Sequence, residues 1–188
     1  KERPVLEFSV LIAGKAGFGI DKSGMILARL FNQLSWRVCV YRDYPSIIRG
    51  GHTFSIVRSS KERIGVHREK VDFLLALNQE GLDLHRSRLS PDAVVLYDSD
   101  AVNPQEVGAR ALGIPIAKII KEESGSEIMR NTCMIGAFCK AAGFSFDSLT
   151  KILEQEIGRE LEINYRVARR GFEAAENRVK VEPLQQAA

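Results

Sequence analysis

Cysteine is scarce in this chain, with three residues in 188, at positions 39, 133 and 139. An odd count with no Cys-x-x-Cys spacing excludes a disulfide framework and a zinc ribbon. It also excludes an iron–sulfur cluster held by this chain, because such a cluster takes four closely spaced thiolates. Cys39 lies in an apolar run, and Cys133 and Cys139 flank another, so all three read as small core residues in a reducing compartment. No run reaches the roughly 18 apolar residues of a membrane span. The opening Lys1-Glu2-Arg3-Pro4 has no leader-like apolar stretch, so a cytoplasmic domain is expected. Charge of one sign is also lacking, since the formal net charge of +3 is too small to mark a nucleic-acid binder.

The remaining composition, 45% hydrophobic and 27% charged, is that of an ordinary globular domain. A length of 188 residues suits one domain. We read residues 1–178 as that domain and 179–188, which are aperiodic and contain Pro183, as a tail or linker. Residues 1–90 carry a charge of +6 and the remainder −3. The basic residues gather between Arg29 and Arg68, opposed there only by Asp43 and Glu62. Such a field attracts an anion or an acidic partner face, or else is a solvated surface.

Residues 5–13 read as a buried strand. Gly14-Lys15-Ala16-Gly17-Phe18-Gly19 follows, and then Ile26, Leu27, Leu30, Phe31 and Leu34 recur at helical spacing. Residues 37–41 form a second strand, completing a βαβ unit with parallel strands and a right-handed crossover. Residues 53–58 alternate like a strand, and 64–67 suit a returning hairpin partner, which would make the sheet mixed. Further strands are expected at 71–77, 93–97 and 113–117, with a short helix over 79–88. Helices are predicted over 131–142, 147–157 and 164–176, the last capped by Asn164. The fold class is therefore three-layer α/β/α, Rossmann-like, with a mostly parallel, mixed sheet and a helical C-terminal part.

Two segments are candidates for chemistry. A glycine turn between a strand and a helix brings backbone N–H groups and a positive helix end to an anion. Its spacing, G-x-x-G-x-G, departs from the dinucleotide fingerprint G-x-G-x-x-G. Asp43 would suit a ribose and Arg42 a 2′-phosphate, and these cues conflict. A P-loop fails because Ile20 stands where lysine is needed, with Lys22-Ser23 two residues late. The alternative is a turn that only packs the helix on the sheet. The second segment runs from Tyr41 to His52 and follows the second strand, so it should approach the glycine turn. Arg49 could clamp a phosphate or carboxylate, Gly50-Gly51 permits a sharp reversal, and His52 reads as an acid/base or, more simply, a structural histidine. His67 and His85 read as surface residues. The i,i+2 pairs Glu154/Glu156 and Glu160/Glu162 read as solvated faces. No nucleophile elbow, metal pair or Cys/His dyad is present, so no catalytic or metal-ligating residue is assigned.

Gly14-Lys-Ala-Gly-Phe-Gly-Ile20 and Tyr44-Pro-Ser-Ile-Ile-Arg-Gly-Gly-His52, in this order and separation, resemble the gamma subunit, or gamma domain, of 2-oxoacid:ferredoxin oxidoreductases. Arg68-Glu-Lys-Val-Asp72 running into Leu74-Leu-Ala-Leu-Asn78 adds to the likeness, as do Asn131 and Gly136-Ala137, and together they cover about residues 8–175. The wording of the second motif is similar to forms in which a gamma domain precedes an alpha domain. The resemblance implies a complex that oxidatively decarboxylates a 2-oxoacid (pyruvate, 2-oxoglutarate or ketoisovalerate) with coenzyme A, giving acyl-CoA, carbon dioxide and reduced ferredoxin. Thiamine diphosphate, magnesium and iron–sulfur clusters would sit on alpha, beta and ferredoxin-like delta partners, and coenzyme A could be a shared ligand. This chain would then be inactive alone. The binding residues it implies are Gly14, Gly17, Gly19, Tyr44, Ser46, Arg49, Gly50, Gly51 and His52. A stand-alone NAD(P)-dependent oxidoreductase and a ligand-free interaction module are the competing readings.

Overall fold

The computed structural model describes residues 7–43, 50–61, 69–103 and 110–176. The expected hairpin strand at 64–67, the tail at 179–188, and Tyr44, Ser46, Arg49 and His67 lie outside these residues.

Six strands form one sheet: β1 (Glu7–Lys15), β2 (Arg37–Arg42), β3 (His52–Ser60), β4 (Val71–Ala76), β5 (Leu89–Asp98) and β6 (Ala111–Ile114). Their order is β2-β3-β1-β4-β5-β6. β1, β4, β5 and β6 are parallel neighbours, whereas β3 runs antiparallel to both β1 and β2. The sheet is mixed, as expected, but β3 makes it so. β1 and β2 point the same way yet never touch, which corrects the simple βαβ unit.

Helix α1 (Ile20–Gln33) explains the gap. Its apolar stripe of Ile26, Leu27, Leu30 and Phe31 is buried, and Gly24 lets the helix settle onto Ser55 of β3. The crossover spans one strand position, and β3 fills it afterwards. Arg29 of α1 pairs with Glu156 at 2.5 Å, and Arg58 of β3 pairs with Glu7. Part of the basic field read from the sequence is thus neutralised within the fold.

Helix α2 (Gln79–His85) is capped by Asn78, whose Oδ1 accepts from Gly81 N–H at 2.9 Å. The remaining helices are α3 (Ile116–Glu122), α4 (Arg130–Ala141), α5 (Phe146–Glu156) and α6 (Leu161–Ala174). The late strand stops at Ile114, and Ile116 and Ala117 already belong to α3, whose first N–H groups donate to Asp100. Asn164 is not a cap. It lies buried inside α6, whose N-cap is Glu160, and its Nδ2 donates back to the Glu160 carbonyl at 3.0 Å.

The layers are unequal. One face of the sheet carries α1, α3, α4, α5 and α6, joined by a core around Phe8, Phe31, Phe73 and Phe138. The other face carries α2, whose Leu82 joins a second core with Leu11, Ala13, Phe54 and Leu74 of the sheet. Helix α4 is buried nearly all round, as a central core helix must be. Its Cys133 and Cys139 are core residues as expected, with burial pushing the first thiol up to about 12 and the second higher still. Cys39 is exposed instead. Strand alternation explains it: Val38 and Val40 pack on the main core, and Cys39 points to the other face with Arg37 and Tyr41.

Candidate functional site at the carboxyl edge of the sheet

The parallel strands β1, β4, β5 and β6 end on one edge, and antiparallel β3 begins there. Lys15 stands opposite His52 and Gly14 opposite Thr53 in the ladder. Beyond it, Ala16 N–H donates to the Gly51 carbonyl at 2.8 Å. The two candidate segments are therefore hydrogen-bonded neighbours along 14–19 and 50–52.

Residue 19 needs to be glycine. It caps α1 in the left-handed region, at φ 72°, and a methyl there would run into the Asn131 side-chain amide. Its carbonyl accepts from Ser23 N–H at 3.0 Å, from Ser23 Oγ at 2.9 Å and from Asn131 Nδ2 at 3.0 Å. Gly17, at φ 101°, has open space where a side chain would stand, so a ligand can approach that backbone closely. Helix geometry leaves the N–H groups of residues 20–22 without intrahelical acceptors, and they carry the positive end of the dipole. Gly14 is different: it fits between Leu77 and Phe18 and is a packing glycine.

The start of α4 braces the turn from below. Asn131 holds the Gly19 carbonyl, and Arg130 sits 5.4 Å from the Phe18 ring centre. Arg130 donates to Asp98 Oδ2 at 2.6 Å and to Glu127 Oε2 at 2.6 Å. The Thr132 hydroxyl lies 3.0 Å from Oδ1 of both Asn131 and Asn164, donating to one at a time. This polar brace links α1, α4 and α6. Sequence reasoning singled out Asn131 only within the family likeness and did not assign Arg130 or Asp98.

His52 meets a residue that the sequence reading placed at the surface. His85, at the end of α2, is 3% exposed, and its Nε2 is 2.8 Å from that of His52. Burial, then the neighbouring His52 and Arg88, push the His85 imidazole down to about 4. Burial also lowers His52, against the pull of Glu80 and Asp43. An unfolded chain therefore takes up these protons at higher pH than the folded one. The His85 contribution to stability is complete above pH 6.5 and is lost as pH falls towards about 4. We expect ~2 kcal/mol of stability lost between pH 7 and 4.5 by urea unfolding. His85→Leu should flatten that slope.

Among the described residues, no group of three or more His, Cys, Asp or Glu is placed to hold a metal ion. The cysteines do not fit a cluster either, because two are buried in α4 and the third lies on β2. No helix among the described residues is long and apolar enough to cross a membrane.

Fold and edge together define an α/β domain with a braced glycine turn at the carboxyl edge of its sheet. The family model for pyruvate ferredoxin/flavodoxin oxidoreductase matches residues 9–174, and the chain belongs to that family. It is 29% identical over 170 residues to 2-oxoglutarate synthase subunit KorC of Archaeoglobus fulgidus, covering 89% of this chain and 87% of that one. It is 30% identical over 181 residues to ketoisovalerate oxidoreductase subunit VorA of Methanothermobacter thermautotrophicus, covering 89% of this chain but 38% of the relative. Among solved structures, the gamma subunit of a keto/oxoacid ferredoxin oxidoreductase from Geobacter sulfurreducens superposes with a TM-score of 0.76 at 26% identity, over 89% of this chain and 95% of that one. The 2-oxoglutarate:ferredoxin oxidoreductase of Magnetococcus marinus, solved with 2-oxoglutarate, coenzyme A and succinyl-CoA bound, shares the fold. Its TM-score is 0.85 at 23% identity, over 98% of this chain and 34% of that one. The chain thus has the extent of a gamma subunit and about a third of the length of the larger relatives.

Proposed function

We propose that this chain is the gamma-type assembly component of an enzyme that oxidatively decarboxylates a 2-oxoacid with coenzyme A and passes the electrons to ferredoxin. Alpha and beta partners, with a ferredoxin-like delta partner in some assemblies, carry thiamine diphosphate, magnesium and the iron–sulfur clusters. The chain is inactive alone and works in the cytoplasm. Its own contribution is an anion cradle in which the 14–19 turn faces 50–52; Tyr44, Ser46 and Arg49 are the further binding residues that the family likeness implies. A pyrophosphate, as in coenzyme A or thiamine diphosphate, suits such a cradle because backbone N–H groups and a helix dipole complement it. The observation that carries this reading is the Ala16–Gly51 hydrogen bond, which makes one edge of the two motifs that also carry the family likeness.

The strand order weighs against the NAD(P) reading. A dinucleotide fold pairs its second strand beside the first, so that an acid at the end of the second reaches the ribose. Here β3 separates them, and Asp43 stands two strand positions from the turn.

The test is reconstitution. Chain and partner subunits assayed separately should not reduce ferredoxin, and the assembly should do so in the presence of a 2-oxoacid and coenzyme A. Gly19→Ala forces a side chain into the left-handed region and against Asn131. We expect it to lower stability by about 1–3 kcal/mol and to raise the KM for coenzyme A in the assembly about tenfold. An assembly whose coenzyme A dependence ignores both Gly19→Ala and Arg49→Ala would remove the cradle.

A further inference from the structure

The contact between His52 and His85 has a specific geometry. The ring centres are 5.0 Å apart, while the two Nε2 atoms are 2.8 Å apart. The first distance is close to the second plus one ring radius at each end, so the rings meet end to end. Nitrogens aimed at each other in this way suit a single Nε2–H···Nε2 hydrogen bond. They do not suit a shared metal, for which both lone pairs would have to converge on a third point.

Proton inventory follows from the contact. Each neutral imidazole has one N–H. The ring that donates through Nε2 has a bare Nδ1, and the ring that accepts through Nε2 carries its proton on Nδ1. Both Nδ1 atoms are buried without a hydrogen-bond partner among the described residues. The fold therefore leaves one buried donor and one buried acceptor unsatisfied to keep this contact, an arrangement that calls for a role.

We propose that His85 is the positioning residue of His52. The shared proton fixes the His52 ring, ties the start of β3 to the end of α2 and, with the Ala16–Gly51 bond, seats 50–52 beside the glycine turn. Only the consequence for a ligand rests on the cradle reading; the pair itself does not.

The surroundings set how the pair responds to acid. Glu80 of α2 and Asp43 beyond β2 act on His52, and Lys15 of β1 is its ladder partner. His85 faces His52 and Arg88, and Phe54 lies against both rings, with centroids 6.1 Å and 4.5 Å away. A first added proton settles on His52, where two carboxylates favour it, and the Nε2–H···Nε2 bond survives. A second, on His85, sets N–H against N–H and parts the rings. The segment is thus held at neutral pH and released by strong acid.

Long-range ¹H–¹⁵N spectra of the histidine-labelled chain test this directly, with amide exchange at Ala16 as the second readout. At pH 7, one ring should be the Nε2–H tautomer and the other the Nδ1–H tautomer. His85→Gln can either accept or donate at that point, so whichever tautomer His52 holds, it and the Ala16 protection should persist. His85→Leu should leave His52 with mixed tautomers and should speed Ala16 exchange about tenfold. Wild-type rings that titrate independently near pH 6.5 would overturn the proposal. So would a His85→Leu chain whose His52 and Ala16 signals match the wild type. Calorimetry with coenzyme A on the assembled complex is the separate arm. A paired spectrum with no coenzyme A binding ends the cradle and keeps the pair, whereas binding without pairing ends the pair alone.

Discussion

Replacing Gly136 by alanine should lower the melting temperature of this chain by about 10 °C, a loss of about 3 kcal/mol. Alanine is ordinarily the better helix former by about 1 kcal/mol, so the sign of the effect rests on packing. Helices α4 and α6 cross with their backbones in contact. A methyl at Gly136 would fall within the radius of the Ala168 carbonyl oxygen, and one at Gly171 would do the same to the Cys133 carbonyl. Backbone atoms cannot swing aside as a side-chain end can. The helices would have to part, and the buried surface of Cys133, Phe138, Val167 and Ala168 would open with them. Gly171→Ala should cost about as much, and the double variant less than the sum, because one separation accommodates both methyls. Thermal unfolding followed by far-UV circular dichroism gives these values. A Gly136→Ala chain as stable as the wild type would mean that the crossing is looser than described.

The crossing also marks a limit of what the sequence discloses. Helix α4 was readable from its apolar length, and Gly136 stood inside a family motif, but nothing local says that Ala168 passes within touching distance. The glycine turn was readable because a continuous apolar strand, three glycines and a 3.6-residue repeat occur in that order. Its approach to 50–52 followed from a general rule about strand ends, and the Ala16–Gly51 bond agrees with it. The place of β2 was not readable, because a later strand decides it: β3 pairs with both β1 and β2. Cys39 and His85 were misplaced for want of phase. Cys39 shares strand parity with Arg37 and Tyr41. His85 lies three and four residues beyond Leu82 and Gly81, the buried side of α2. Counting along the element would have put one outside and the other inside. Asn164 has the chemistry of a cap, but its amide serves the brace with Thr132 and the Glu160 carbonyl.

Asp98→Ala should destabilise the chain by about 3 kcal/mol in urea unfolding at pH 7, and Asp98→Asn by much less. Asp98 is fully buried, and its partner Arg130 is 14% exposed at the side chain. Burial raises the Asp98 carboxyl above its ordinary value, more than the Asp100 N–H and the Arg130 guanidinium lower it. The ionised form is thus held at a net penalty. A raised folded-state value means that folding takes up a proton, so this group favours stability below its ordinary value and loses that contribution as pH rises through the folded one. Alanine leaves Arg130 without its buried partner and the Asp100 N–H without its acceptor, while Glu127 still binds the guanidinium. Asparagine removes the charge that burial opposes and keeps one acceptor oxygen, enough for either the Asp100 N–H or Arg130 but not both, since these donate to separate oxygens of Asp98. An apolar pair, Asp98→Leu with Arg130→Met, should recover most of what Asp98→Ala loses, because both desolvated charges go together. Function separates the variants further. Arg130 lies against Phe18 in the glycine turn and precedes Asn131, which holds the Gly19 carbonyl. The apolar pair should therefore be stable and still raise the KM for coenzyme A in the assembled enzyme. If it restores both stability and coenzyme A dependence, the ion pair only holds α4 to the sheet and does not shape the turn.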